Sequence, residues 1–168
     1  MTEPEQPVFT VDASGDPVVL RVNGRASYLT SGPVSHLFGH LLDRRKNRFL
    51  VDFTHCTGMD STFLGILAGA AMRIRREAPE GRLELCNLND RNRELVRNLG
   101  LQKILSVHPP ESCESAVDGN DPARFESVDT GNVTSRSMLE AHRNLIDADA
   151  ENASRFQDVI KYLEQESE

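Results

Sequence analysis

No tryptophan occurs among the 168 residues, and aromatic side chains make up only 5% of them. Lysine is scarce too, with Lys46, Lys103 and Lys161 the whole supply. A receiver-type site using Asp52 as phosphoacceptor needs a lysine near a later strand end and an acidic pair after the first strand, and neither is in place. The basic groups Arg44, Arg45, Lys46 and Arg48, and then Arg73, Arg75 and Arg76, lack the interleaved aromatics that single-stranded nucleic acid stacks on. G-x-G-x-x-G, Walker A and G-x-S-x-G are all missing, which leaves nucleotide binding and serine-hydrolase chemistry without a motif. Cys56, Cys86 and Cys113 are odd in number and lack C-x-x-C spacing, so neither a disulfide framework nor a zinc knuckle is indicated. Cys56 and Cys86 read as small core residues of a reduced, cytoplasmic protein. His36 and His40 lie four apart on one helix but lack the glutamate of H-E-x-x-H, and read as surface histidines. The longest stretch free of charge and strong polarity, Phe63–Met72, is far short of the roughly 20 residues that span a bilayer. The acidic, proline-bearing start Met1–Pro7 is the reverse of a secretory leader. The expectation is no membrane insertion, no nucleic acid, no cofactor and no metal.

Charge is present in quantity, at 27% of residues and a formal net of −7. It is unevenly spread. Residues 1–110 carry 14 basic and 12 acidic groups, whereas residues 111–168 carry 5 and 14. The acidity belongs to the C-terminal third, and the two parts read as having different jobs.

Periodicity gives an α/β chain. Val8–Val11 and Val18–Val22 read as a hairpin around Ser14-Gly15-Asp16-Pro17. Val34, Leu37, Phe38, Leu41 and Leu42 have helical spacing, and Phe49–Phe53 is apolar enough for a central strand. A helix from about Thr62 to Glu77 follows, then a strand at Arg82–Cys86. A third helix, Arg91–Leu99, is capped by Asp90 and ended by Gly100, and Leu101–Val107 reads as a closing strand or edge segment. The alternation predicts a layered fold with partly parallel pairing. Residues 1–7 are expected to be disordered, 8–107 to form the domain, 108–133 a linker and 134–168 a helical C-terminal extension. In that extension Met138, Leu139, His142, Leu145 and Ile146 form one apolar stripe, and Phe156, Val159, Ile160 and Leu163 a second. These two stripes fit either docking onto the domain or self-association.

The most informative stretch runs from the strand Phe49–Phe53 through a loop to Met59-Asp60-Ser61-Thr62-Phe63-Leu64-Gly65. Asp60, Ser61 and Thr62 are all good residues for a helix start, because their oxygens accept from amides with no intrahelical partner. One reading is that Asp60 or Ser61 simply caps the helix. The other uses the same geometry: a hydroxyl held there is open to a kinase, and an added phosphate meets amides and the positive dipole end. His55 lies in the preceding loop, either solvated or in reach of such a phosphate. The helix itself admits two readings, burial on two sides of its own domain, or a flat face of Leu64, Gly65, Ala68 and Ala71 receiving a partner helix.

This stretch resembles the STAS domain family, in particular the bacterial anti-sigma factor antagonists. The family pattern is an apolar strand ending in Asp, a short loop, then Met-Asp-Ser-Ser/Thr and Leu-Gly on an apolar helix. Val18–Gly24 and Gly100-Leu101-Gln102-Lys103-Ile104-Leu105 extend the resemblance over roughly residues 8–107. It implies a STAS fold, with a mixed sheet of four to five strands and helices on one face. It also implies a non-enzymatic phosphoprotein of bacterial transcription regulation that works by partner switching. Ser61 is the implied phosphorylation site, and Asp60, Ser61, Thr62, Phe63 and Leu64 the implied partner-binding residues. The implied partner is a protein that is both anti-sigma factor and serine kinase, bound when Ser61 is unphosphorylated. Phe63 stands where the commonest form has Gly, so its ring either alters the partner-facing surface or packs inward. Thr62 is a second hydroxyl beside Ser61. The alternative is a constitutive STAS scaffold, a subunit of a signalling complex or a lipid-transport ATPase without phospho-switching.

Overall fold

The computed structural model describes residues 7–109 and 122–167. The expected disorder of 1–7 and the site of Cys113 therefore fall, apart from Pro7, outside the described residues. The strands are β1 (Phe9–Asp12), β2 (Val18–Ala26), β3 (Arg48–Met59), β4 (Arg82–Cys86), β5 (Ser106–Val107) and β6 (Glu126–Val128). The α-helices are α1 (Gly32–Asp43), α2 (Ser61–Glu77), α3 (Asp90–Asn98), α4 (Ser135–Ala148) and α5 (Asn152–Glu166).

The strands form one mixed sheet in the order β5-β4-β3-β2-β1-β6. β1 and β2 are the expected antiparallel hairpin, while β2, β3, β4 and β5 run parallel. The strand count is one above the expected range. The extra strand, β6, comes from the segment read as a linker and pairs antiparallel with β1. Leu101–Lys103, read within a closing strand, is instead a 3-10 turn entered through Gly100 at φ 71°, and only Ser106–Val107 joins the sheet. Asn89, rather than Asp90, caps α3, its side chain accepting from the Asn92 amide.

Strand alternation divides the burial into two faces. Val18, Leu20, Val22, Phe49, Val51, Phe53, Leu83 and Leu85 share the main core with the buried residues of α1, α2, α3 and α4. The opposite face holds a small cluster of Val19, Leu50 and Cys86 with Phe125 packed against it, and among the described residues no helix residue takes part. The Arg21 guanidinium lies 3.9 Å over the Phe125 ring. Cys86 is buried as expected but disulfide-bonded, which corrects the expectation of reduced cysteines without a disulfide. Cys56 is a free, buried thiol, and burial pushes its pKa up, away from the reactive thiolate. Among the described residues, no helix is long and apolar enough to cross a membrane.

Phe63 lies at the centre of the main core. Its ring is fully buried, stacked on Phe9 at 5.9 Å and edge-on to Phe53 at 6.3 Å. Of the two directions open to it, the ring takes the inward one.

Candidate functional site

β3 carries the chain along the centre of the sheet and delivers it at Met59 to the start of α2. Asp60 is the N-cap in extended conformation, and its two carboxylate oxygens do separate work. Oδ1 accepts from the Phe63 amide at 2.9 Å, and Oδ2 accepts from the Tyr28 amide at 2.8 Å. The Asp60 amide itself donates to Ala26 O at 3.1 Å. Asp60 thus fastens the loop after β2 to the first turn of α2. That loop presents Tyr28 and Leu29, large apolar side chains that are 45% and 52% exposed. Sequence reasoning missed both, although two large apolar residues between Ser27 and Thr30 in a turn were the available signal.

Because an N-cap side chain is worth about 0.5–2 kcal/mol, Asp60→Ala is expected to destabilise the chain by that amount. It should also free the Tyr28 loop, visible as faster amide exchange over 27–31 than over β3.

Ser61 is the first residue of α2 and partly exposed. Its Oγ lies 3.0 Å from His142 Nε2, while His142 Nδ1 lies 2.7 Å from Met138 O. A carbonyl can only accept, so Nδ1 carries the ring proton. In the neutral ring Nε2 is then a bare acceptor, and the Ser61 hydroxyl donates to it. His142 is buried and packed edge-on against Phe156 at 5.1 Å. It was readable only as one member of an apolar stripe. A polar ring on such a stripe is the signal that a partner should be sought.

The expected partner-binding residues separate into two groups. Asp60 and Ser61 reach the surface, but Thr62, Phe63 and Leu64 are 4%, 0% and 0% exposed. Burial removes these three from any surface offered in this arrangement, and it also closes off Thr62 as the second hydroxyl. His55 is exposed in β3, and His36 and His40 are exposed on α1. Among the described residues, no group of three or more His, Cys, Asp or Glu could hold a metal ion. Asp52 is structural: its Oδ1 accepts from the Thr54 amide and hydroxyl and from Asn87 Nδ2. A groove of about 390 Å³ between α1, α2 and α4 is lined by Phe38, Ile66, Gly69, Arg73 and Asn144, and Ser61 is not on its wall.

The C-terminal extension is docked. α4 lies along α2 with Ala141 against Gly65: a Cβ at Gly65 would overlap the Ala141 carbonyl oxygen and sit 2.6 Å from its carbonyl carbon. Asn144 Nδ2 donates to Gly65 O at 3.2 Å. α5 packs on α4, and the turn between them is held at the end of α3. There Asn152 Nδ2 donates to Leu99 O and Leu145 O, Lys103 pairs with Asp149 at 3.1 Å, and Arg155 donates to Asn98 O. The Glu151 amide first, and Lys103 second, hold the Asp149 carboxyl below its ordinary range. The face of small residues on α2 therefore receives a helix, and that helix belongs to the same chain.

A mixed sheet with helices on one face, and a capped serine where the central strand feeds its helix, define a STAS-type domain. The chain belongs to the family described as Mlab, STAS domain, whose model matches residues 9–106. Comparison with curated proteins finds no match. Among solved structures, the phosphorylated form of the Bacillus cell fate determinant SpoIIAA is 22% identical. It aligns over 66% of this chain and 97% of that one, with a TM-score of 0.50. A candidate anti-sigma factor antagonist from Thermotoga maritima is 18% identical over 66% and 92% of the two chains, with a TM-score of 0.51. The anti-sigma factor antagonist SpoIIAA in its unphosphorylated form is 20% identical over 66% and 96%, with a TM-score of 0.48. The first two of these likenesses speak to the fold alone.

Proposed function

We propose that this chain is a non-enzymatic regulatory binding protein, an anti-sigma factor antagonist that engages an anti-sigma factor with serine-kinase activity while Ser61 is unmodified. One observation carries the reading: a serine hydroxyl sits on the first residue of α2, beside a cap that also anchors the exposed Tyr28–Leu29 loop. Phosphate on Ser61 would bring about −2 charge to a helix N-terminus that tolerates it. The fold would survive while the surface offered to the partner, which already carries Asp60, became strongly negative. Membership of the STAS family supports the class, and the likeness to SpoIIAA supports the partner chemistry by analogy.

The test is co-expression with a cognate anti-sigma factor kinase, followed by mass spectrometry of the peptide carrying Ser61. Phosphate on Ser61, and none on the buried Thr62, is the expected result. An unmodified peptide, together with full partner binding by Ser61→Asp, would instead favour a constitutive STAS scaffold. That second reading draws support from the hydrogen bond that already engages Ser61 with His142.

A further inference from the structure

We propose that the α4–α5 hairpin is an autoinhibitory cap on the Ser61 face, and that the Ser61 hydroxyl is one of its fastenings, so that hairpin docking and Ser61 phosphorylation exclude one another. The inference rests on the reading of Ser61 as the modified residue and adds how access to it is governed.

Three observations carry it. The hairpin begins at Ser135, well beyond residue 106 where the family match ends, so the matched domain does not include it. Its docking nevertheless uses the helix that bears Ser61: Ala141 sits on Gly65, Asn144 bonds Gly65 O, and His142 bonds Ser61 Oγ. With the ring neutral, the fastening also uses the proton of an unmodified serine. With Nδ1 committed to Met138 O, the neutral ring offers Nε2 only as an acceptor, and it needs the hydroxyl proton. A phosphoserine has no proton on Oγ to give. Its phosphate must also occupy the space beside Oγ, where the buried His142 ring lies 3.0 Å away.

A partner that binds around Ser61 therefore competes with this chain's own α4 for α2. The occupied state lowers the fraction of molecules competent to bind, and apparent affinity falls by that fraction. Linkage makes the effect reciprocal, so whatever lifts the hairpin favours modification and modification keeps the hairpin lifted.

The experiment is amide hydrogen exchange, read by mass spectrometry, on the full chain with serine, genetically encoded phosphoserine or glutamate at position 61. No kinase is needed, so its outcome is separate from whether any kinase acts on the protein. Phosphoserine is expected to speed exchange across 135–166 by about tenfold or more while β1–β4 keep their protection, with Ser61→Glu changing exchange in the same direction. Unchanged or increased protection of 135–166 would overturn the proposal, because the phosphate would then be accommodated under a docked hairpin. Loss of protection throughout β1–β4 would overturn it equally, since the hairpin would be part of one cooperative core and not a cap. If the hairpin lifts but no kinase modifies Ser61, the functional reading fails and this inference stands.

Discussion

Phe63→Ala is expected to lower the stability of the chain by about 3–5 kcal/mol, the usual cost of emptying a buried aromatic site. The ring is fully buried between Phe9 and Phe53, so truncation removes contacts from β1, β3 and α2 together. Little can collapse into the gap, because β1 is held on both sides by β2 and β6. Chemical denaturation followed by far-ultraviolet circular dichroism gives the number, and a loss below about 1 kcal/mol would mean the ring is not a core element. The same experiment bears on function. A surface Phe63 would lose partner binding at unchanged stability, whereas the buried ring predicts the reverse: partner affinity per folded molecule preserved and stability lost.

Gly65→Ala is expected to loosen the hairpin while leaving the sheet intact. Two effects oppose each other here. Within a helix, Ala is favoured over Gly by about 1 kcal/mol. Against that, the new methyl would lie 2.6 Å from the Ala141 carbonyl carbon, which is backbone and cannot swing aside. Overpacking of this kind costs about 1–3 kcal/mol, so the close approach prevails and α4 must shift. Gly69 provides the contrast. A Cβ there meets chiefly the Asn144 side-chain amide, which can rotate away at the cost of its bond to Gly65 O but with no backbone shift, so Gly69→Ala should be milder. Exchange over 135–166 should accelerate markedly in Gly65→Ala and less in Gly69→Ala, which loses only the Asn144 bond. Equal behaviour of the two variants would remove Gly65 as the seat of α4.

What could be read in advance follows the range of the forces involved. The run Phe49–Phe53 and the apolar spacing of the helix from about Thr62 to Glu77 are local patterns, and they located α2 to within a residue and the first half of β3. The stretch read as a loop after Phe53, His55 included, is instead the continuation of β3 to Met59, paired with β2. The cap at Asp60 is local as well, since its acceptor and the Phe63 amide are three residues apart. β6 was not readable, because Glu126-Ser127-Val128 has too little apolar content to stand out among prolines, glycines and serines. It is a strand only because β1 presents an edge. The Ser61–His142 bond spans 81 residues and depends on how α4 crosses α2. Periodicity could place His142 on the buried stripe of its helix but could not say which hydroxyl it would meet. Phe63 is intermediate. Its departure from the family's usual glycine was plain, but its direction depended on a space left between Phe9 and Phe53.

The net charge of −7 also takes on a location. The acidic part of the chain includes the docked hairpin, tied by Asp149 to Lys103 and by Glu164 to Arg143 within the hairpin itself. Lifting the hairpin would move that acidity away from a domain that is slightly basic, uncovering α2 and changing the field around Ser61 together.

The central claim is that the chemical state of Ser61 decides partner binding. Its most direct test is the affinity of the full chain for an anti-sigma factor kinase, measured by isothermal calorimetry for Ser61, Ser61→Ala and Ser61→Asp, with circular dichroism showing all three folded. Ser61→Ala is expected to bind as well as the parent or several-fold tighter, having lost the bond to His142. Ser61→Asp is expected to bind at least about a hundredfold more weakly, a difference of roughly 2.7 kcal/mol. Equal affinity of the aspartate and alanine variants would contradict the claim.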